Sequence, residues 1–250
     1  MTRFIGREKE LASLKGLLRK KSSSLVVIRG RRRIGKSRLA EEYAASFSKA
    51  YILSGIPPES GITADTQRAE FLRQLQEYRL PVYRSDDWGN LFYDLAQECK
   101  KGRILVVLDE ITWMGSQDSS FLSKLKTAWD RHFKHNAQFV MILSGSNSAW
   151  ISKNILSSTG FFGRVSLRLL LEELSLPECN LFWEDTSGTV SAYEKFKILS
   201  VTGGIPRYLE ELRPDLSAEA NLQRLCFDSE GLLFREFDQI FGHVHLFGHH

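Results

Sequence analysis

The sequence predicts an α/β fold in which a parallel five-stranded sheet is flanked by helices and followed by a small all-helical lid. Two observations lead to this fold class. Short apolar, β-branched runs alternate with segments of helical spacing as far as about residue 171, an order typical of parallel sheets. Beyond that residue the spacing is helical only. The predicted domains are therefore a core over residues 1–171, a helical lid over 172–240 and a tail over 241–250.

The first predicted strand, Leu25–Ile28, runs directly into a glycine loop and then a helix. The loop reads Gly30-x-x-x-x-Gly35-Lys36-Ser37, and apolar residues continue at helical spacing from Leu39 to Phe47. Strand, glycine loop and helix in this order are the context of a phosphate-binding loop. Glycines let backbone N–H groups turn inward around a phosphate, and the helix directs the positive end of its dipole at the same point.

We predict that this loop binds the phosphates of a nucleotide. Lys36 has the length to reach the β- and γ-phosphates, and the Ser37 hydroxyl is a suitable Mg²⁺ ligand. A chance match of the motif is the alternative, and the flanking strand and helix argue against it. The predicted nucleotide-binding residues of the loop are Gly30, Arg31, Arg32, Arg33, Ile34, Gly35, Lys36, Ser37 and Arg38.

Two carboxylates follow another apolar run. Ile104–Leu108 is a stretch of five aliphatic residues, typical of a fully buried parallel strand, and Asp109 and Glu110 stand at its carboxyl end. Ligands bind at this edge of an open α/β sheet. We predict that Asp109 helps to hold Mg²⁺ and that Glu110 acts as a general base on water. A solvated acidic turn is the alternative, and the phosphate loop upstream favours the functional interpretation.

Three further strands and several helices complete the predicted core. The strands are Ala50–Ser54, Ala137–Leu143 and Val165–Leu171. Helical spacing covers residues 11–18, 71–78 and 122–133, and a further helix begins near Ser85 or Asp86. Arg168 is unusual for a buried position in the last strand. Ser144 follows the preceding strand, where it either senses the γ-phosphate or belongs to a strand-to-helix turn.

The segment after residue 171 carries helix start and stop signals. Pro177 stands at a predicted first helical position, Gly203 at a predicted helix end, and Pro206 at the start of another helix. The last ten residues hold four of the six histidines. A metal site is one interpretation, but a frayed or truncated chain end accounts for the cluster better, because free ends are usually poorly ordered.

The composition excludes several classes of protein. No apolar run approaches the ~18 residues of a membrane span. The three cysteines lack the spacing of a zinc site or a disulfide framework, so we expect a cytoplasmic protein without a membrane partner. Residues 1–50 carry 14 Lys and Arg against 4 Asp and Glu, an excess that we assign to the phosphate loop rather than to nucleic acid.

Taken together, these stretches resemble the archaeal-type ATPases of the AAA+/STAND branch of P-loop nucleotidases. Residues 4–11 are similar to the family's opening motif, residues 30–37 to its G-x-R-R-x-G-K-[ST] Walker A motif, and residues 105–110 to its Walker B motif. Ser144-Gly-Ser146 stands at the sensor position, Gly163-Arg164 matches a finger arginine, and residues 203–207 resemble the G-x-P motif of the lid. The resemblance covers residues 3 to about 240.

The resemblance implies that the substrate is ATP and the cofactor Mg²⁺. It also implies that Pro206 packs near the bound nucleotide and that Arg164 can act on the γ-phosphate of a neighbouring subunit, which makes a homo-oligomer. Members of the family usually continue into a winged-helix segment and a further domain, and this chain stops before either. A nucleic-acid partner is therefore left open, with no residue of this chain to support it.

We expect an Mg²⁺-dependent ATPase. Glu110 orients the attacking water, Lys36 neutralises developing charge, Ser37 and Asp109 hold the metal, and Arg164 completes the site. The second hypothesis is a nucleotide-gated switch or scaffold with negligible turnover. A small-molecule kinase is disfavoured because the two adjacent carboxylates suit activation of water. A GTPase is disfavoured because no Asn/Thr-Lys-x-Asp motif follows the fourth strand.

Overall fold

The computed structural model describes residues 3–82, 86–184 and 190–236, and the chain forms two compact units. The sheet unit comprises residues 8–32 and 36–172. The helical unit comprises residues 3–7, residues 33–35 and the described residues from 173 onward. The three predicted domain ranges stay a prediction, and the predicted tail with its histidines lies outside the described residues.

The described part of the sheet unit alternates strands and helices. Its strands are β1 (Ser24–Arg29), β2 (Lys49–Ser54), β3 (Ile104–Asp109), β4 (Phe139–Gly145) and β5 (Val165–Leu170). Its α-helices are α1 (Glu8–Leu17), α2 (Lys36–Ala44), α3 (Ala64–Glu77), α4 (Trp88–Glu98), α5 (Ile111–Met114), α6 (Phe121–Arg131) and α7 (Ser148–Ile151). A 3₁₀ turn covers Phe133–His135, and a π-helical turn covers Ser152–Leu156.

All five strands run parallel in the order β2-β3-β4-β1-β5, which confirms the predicted fold class. β4 lies between β3 and β1, and every residue of β3 and β4 is buried. β5 is an edge strand whose residues are only half-buried or exposed. Arg168 is one of the exposed residues of β5, which explains an arginine in a strand that the sequence suggested was buried.

Apolar residues on both faces of the sheet pack against helices. One core joins alternate residues of the strands, such as Leu25, Val106 and Met141, to aromatic residues of α3, α4 and α6. Phe71, Trp88, Phe92 and Phe121 form the aromatic centre of this core, with ring centroids 4.8–5.8 Å apart. Toward the other face, α2 contacts β3 and β4 and buries Leu39, Ala40 and Tyr43.

Two helix starts differ from those that the sequence suggested. α4 begins at Trp88 and is capped by Asp87, whose carboxylate accepts hydrogen bonds from the backbone N–H groups of Gly89 and Asn90. Of the two predicted starts, Asp86 lies before the cap and Ser85 lies outside the described residues. α3 begins at Ala64, earlier than predicted, because Thr63 forms a capping box that stabilises the first turn.

The helical unit packs short helices around its own small core. Its helices include α8 (Leu176–Asn180), α9 (Ala192–Thr202), α10 (Pro206–Leu209) and α11 (Ala218–Cys226), residues 232–236 are also helical, and a 3₁₀ turn covers Leu181–Trp183. As predicted, Gly203 caps the end of α9 and Pro206 begins α10, whereas Pro177 is the second residue of α8 and not its first. Gly204 has no room for a side chain, because a Cβ there would lie 2.3 Å from the carbonyl oxygen of Leu174.

No helix among the described residues is long and apolar enough to cross a membrane.

Candidate active site

The phosphate loop joins the carboxyl end of β1 to the amino end of α2. The backbone of Gly35 has φ +91°, a value that residues with a side chain rarely adopt. Arg33 is also left-handed, with φ +66°, although it carries a side chain. A left-handed arginine is uncommon and persists only where the surrounding structure enforces it, so the loop is held in this conformation by its neighbours.

Lys36 is almost completely buried at the start of α2. Its ammonium donates to the backbone carbonyl oxygens of Gly30 (3.0 Å) and Arg31 (2.9 Å), and it lies 3.8 Å from Oε1 of Glu110. Burial lowers the pKa of Lys36, and the charges of Glu110 and Asp109 oppose that fall. The Lys36 ammonium is therefore enclosed by the predicted phosphate-binding loop.

Asp109 is a buried carboxylate that two serines hold from opposite sides. The Ser37 hydroxyl donates to Oδ2 at 2.5 Å, and the Ser144 hydroxyl donates to Oδ1 at 2.7 Å. Ser144 has no exposed surface, whereas Ser37 is exposed. The structure thus brings Ser37, Asp109 and Ser144 together, with Ser144 bound to the carboxylate.

Glu110 is held by Ser146, which the family resemblance placed at the sensor position beside Ser144 but which was not among the predicted site residues. The backbone N–H and the hydroxyl of Ser146 both donate to Oε2 of Glu110, at 3.0 and 2.9 Å. The Glu110 backbone is left-handed (φ 47°, ψ 48°), a conformation that costs a residue with a side chain roughly 1–2 kcal/mol. Ser146 is two residues after Ser144, and residues at this spacing in an extended chain lie on the same face. This spacing was the sequence signal that could have identified Ser146.

The crest of the loop, residues 33–35, has its contacts in the helical unit. The Arg33 guanidinium donates to Oε2 of Glu236 at 2.6 Å, and the Tyr208 hydroxyl binds the same oxygen. The guanidinium of Arg7 donates to the carbonyl of Ile34 at 3.2 Å. A Cβ added to Gly35 would lie 3.8 Å from Cγ of Pro206, so the predicted proline does lie beside the loop.

The other loop arginines point to neighbours in the sheet unit. The Arg32 guanidinium lies 5.8 Å from the ring centroid of Trp113, and Arg38 forms an ion pair with Glu41 at 3.4 Å. Arg31 is exposed. Arg32 and Arg38 thus have partners outside the loop, on α5 and α2.

Arg164 is bound within its own chain. Its guanidinium makes a bidentate ion pair with Asp130, with Nε–Oδ1 and Nη2–Oδ2 distances of 2.9 Å each, and Lys126 reaches the same carboxylate at 3.0 Å. The partner of Arg164 within its own chain is therefore Asp130. Arg164 directly precedes β5, and in the sheet two strands, β4 and β1, separate β5 from β3, the strand that ends in Asp109.

The donors present suit a nucleotide with Mg²⁺. Hydroxyl and carboxylate oxygens are the ligands that this cation prefers, and Ser37 and Asp109 supply both kinds within 2.5 Å of each other. Lys36 is the single buried lysine in the described part of the chain, and Glu110 supplies a second carboxylate next in sequence. The described residues hold no cluster of three or more His, Cys, Asp or Glu side chains that could bind a metal ion.

Comparisons with known proteins agree with this geometry. The family described as "ATPase domain predominantly from Archaea" matches residues 4–212. The curated protein MJECL04 of Methanocaldococcus jannaschii, itself uncharacterized, is 26% identical over 217 residues. That alignment covers 84% of this chain and 44% of the relative, so the chain spans less than half the length of the curated relative.

Solved structures share the fold at low sequence identity. The Walker-type ATPase PABY2304 of Pyrococcus abyssi has a TM-score of 0.72 at 16% identity, with 96% of this chain and 76% of that chain covered. The ORC2 protein of Aeropyrum pernix, solved in ADPNP and ADP complexes, has a TM-score of 0.54 at 17% identity, with 97% and 66% covered. A STAND protein of Pyrococcus horikoshii has a TM-score of 0.51 at 20% identity, with 96% and 33% covered.

Proposed function

The chain belongs to the family of ATPase domains found predominantly in Archaea, and on that basis we propose that it binds ATP with Mg²⁺ and hydrolyses it. The observation that carries the proposal is the separate support of the two carboxylates. Asp109 is held by Ser37 and Ser144, and Glu110 is held by Ser146. Two adjacent carboxylates with different partners are suited to two different tasks.

Ser37 and Asp109 are the proposed metal ligands. Their oxygens already face each other, and Ser144 keeps Asp109 oriented by binding its other oxygen. When bound, Mg²⁺ supplies positive charge that neutralises the phosphate oxygens. Ser144 acts here through Asp109, because its only hydroxyl is buried against that carboxylate. We therefore propose Ser144 as a positioning residue in place of a direct sensor of the γ-phosphate.

Lys36 and the loop backbone are the proposed phosphate ligands. The Lys36 ammonium exchanges its two carbonyl contacts for phosphate oxygens, a stronger charge-assisted bond. The proposed phosphate-binding residues of the loop, from Gly30 to Arg38, lie on both sides of Lys36 in the sequence. Pro206 supports the loop at Gly35 from within the helical unit.

Glu110 is the proposed general base. Ser146 occupies Oε2 with two donors, so Oε1 is the oxygen that accepts a proton from the attacking water. Oε1 lies 3.8 Å from the Lys36 ammonium, which directs it toward the phosphate loop. Strain in the Glu110 backbone is typical of a residue whose position is required for function.

A second candidate function is a nucleotide-gated switch with negligible turnover. The contact of Arg33 with Glu236, whose carboxylate the Tyr208 hydroxyl also binds, favours it, because this contact joins the crest of the phosphate loop to the last described residues of the chain. Nucleotide at the loop would then alter the environment of Glu236. In this function the conformational change, and not hydrolysis, is the output.

Steady-state phosphate release separates the two functions. An ATPase releases many equivalents of phosphate per chain, and a switch releases less than one. Glu110→Gln should keep ATP binding and lower turnover by roughly 10²-fold or more, which is the usual effect of losing a general base. Wild-type protein that binds ATP but stops below one equivalent would rule out the ATPase and leave the switch.

We also propose that Arg164 acts in trans in a homo-oligomer, as the family resemblance implies. The guanidinium must then leave Asp130, and turnover per chain should rise with protein concentration. Mixing Arg164→Ala with Glu110→Gln protein should restore turnover, because each variant supplies the half of the composite site that the other lacks. An inactive mixture, with wild-type protein that assembles and hydrolyses ATP, would assign Arg164 to its intrachain pair.

A further inference from the structure

A strongly basic surface lies at the amino edge of the sheet, opposite the edge that carries the phosphate loop. Because the strands are parallel, their amino ends meet there, with Ser24 paired to Val140 and Ile104 paired to both Lys49 and Phe139. The segments that lead into β1, β2, β3 and β4 carry eight exposed cations. We call them the amino-edge basic surface: Arg19, Lys20, Lys21, Lys49, Lys100, Lys101, Arg103 and Lys134.

No acidic residue offsets these charges within the four segments. Residues 18–24, 45–49, 99–104 and 132–139 contain neither Asp nor Glu, and Glu98 at the end of α4 is the nearest along the chain. None of the eight cations forms an ion pair with a described carboxylate. The basic excess of residues 1–50, which we expected to belong to the phosphate loop, is therefore shared with this surface through Arg19, Lys20, Lys21 and Lys49.

The four segments are fixed to one another. Three side chains donate to backbone carbonyls across them: Ser48 to Arg103 (2.8 Å), Asn136 to Cys99 and Gly102 (2.9 Å each), and Ser23 to Lys134 (3.1 Å). The backbone that carries the cations is therefore held together by hydrogen bonds in the absence of a partner. A preformed platform reduces the ordering cost of binding.

Helix ends explain only a part of this charge. α1, α4 and α6 end near this edge, and a cation at a helix C-terminus stabilises the helix by about 0.3–1 kcal/mol. However, three cations (Lys100, Lys101 and Arg103) follow the end of α4 alone, and three more (residues 19–21) follow α1. Like charges at such density repel one another, which destabilises the isolated fold.

We propose that the amino-edge basic surface binds the phosphate backbone of a nucleic-acid duplex. Four adjacent strands spread the charge over about 15 Å, and a duplex presents one phosphate per about 1.7 Å of its axis. Exposed polar side chains among the cations, Ser22, Ser48 and Gln138, are of the types that contact phosphates.

A duplex fits this surface better than a single strand. Proteins that bind single strands stack the bases on exposed aromatic rings. None of the large exposed apolar side chains of the described chain lies in the four segments. The four segments combine positive charge with the absence of carboxylates and of exposed Phe, Tyr or Trp side chains, which matches a sequence-independent contact with the phosphate backbone. The surface is at the opposite edge of the sheet from the proposed ATP site, so binding does not require hydrolysis.

The test is the salt dependence of duplex binding, measured by fluorescence anisotropy between about 50 and 200 mM salt with labelled DNA and RNA duplexes. In the double variant Lys20→Gln/Lys101→Gln, the slope of log affinity against log salt should fall by about two, one for each lost phosphate contact. Lys9→Gln/Lys153→Gln removes the same charge from exposed residues outside the four segments and should keep the wild-type slope. Lys20→Arg/Lys101→Arg keeps the charge and should also behave as wild type.

Binding of either duplex with this pattern supports the proposal. Equal slopes for the two Lys→Gln variants would overturn it, because binding would then depend on net charge alone. Wild-type protein that binds neither duplex at low salt would also overturn it. If that protein instead binds polyglutamate, the surface belongs to an acidic protein partner.

Discussion

Replacing Arg164 with alanine separates its structural role from its proposed role in a neighbouring active site. The guanidinium holds Asp130 through two 2.9 Å contacts, and the side chains are 27% and 22% exposed. Chiefly through that hydrogen bonding, and secondarily through Lys126, the pKa of Asp130 is lowered from 3.8 to about 2. At 1.36 kcal/mol per pKa unit, this fall corresponds to at most about 2.4 kcal/mol.

The expected loss of stability is smaller than that limit. Solvent screens a pair that is a quarter exposed, and Lys126 supplies part of the effect, so we expect Arg164→Ala to lower the free energy of unfolding by about 1 kcal/mol at pH 7. The pKa of Asp130 is lower in the folded than in the unfolded state. Its contribution is therefore present above about pH 4 and is lost as the pH falls toward 2, and the difference between the proteins should shrink over that range.

Urea unfolding followed by circular dichroism at pH 7 and pH 3 measures this difference. Asp130→Asn and the double variant complete a cycle, whose coupling energy should be about 1 kcal/mol at pH 7 and smaller at pH 3. Unchanged stability of Arg164→Ala at pH 7 would refute the reasoning, because the pair would then not form in solution. Asp130→Asn also frees the guanidinium, so turnover that rises more steeply with protein concentration would support the trans role.

Three further predictions concern the phosphate loop and its carboxylates. Lys36→Ala should abolish or severely weaken ATP binding in a fluorescent-nucleotide titration, and Lys36→Arg should not rescue it, because a guanidinium is too broad for the enclosed loop; retained affinity would show that ATP binds elsewhere. Asp109→Asn should impair the Mg²⁺ dependence of turnover, whereas Glu110→Gln should trap ATP, and identical behaviour would contradict separate roles. Ser146→Ala removes one of the two donors to Glu110 and should lower turnover by roughly tenfold without changing ATP affinity. Ser146→Thr keeps the hydroxyl and should keep the wild-type turnover. An equal loss of turnover in both variants would point to a packing defect.

The sequence by itself determined the fold class and the position of the phosphate loop. Five apolar runs separated by helical spacing are local signals, and a buried parallel strand such as Ile104–Leu108 needs little else to be identified. The order Gly30-x-x-x-x-Gly35-Lys36-Ser37 is also contiguous, and its conformation depends on residues that are adjacent in the chain. The family match confirms that these local signals were sufficient to identify the class of protein.

Helix starts were less certain in the sequence, because several neighbouring polar residues can compete to cap a helix. Asp87, and not Asp86, is the N-cap of α4, because its carboxylate accepts hydrogen bonds from the N–H groups of Gly89 and Asn90. Thr63 formed a capping box with a threonine, and not with the glutamate or glutamine that usually marks one. Both outcomes depend on backbone geometry over a few residues.

Only the tertiary structure decided which polar side chains meet. Ser146 is 36 residues from Glu110, Arg164 is 34 residues from Asp130, and Arg33 is 203 residues from Glu236. Hydrogen bonds and ion pairs act over a few ångströms, and polar positions in loops have no periodicity from which such a distance could be read. The amino-edge basic surface arises in the same way, since pairing of the parallel strands brings together four segments that are far apart in the chain.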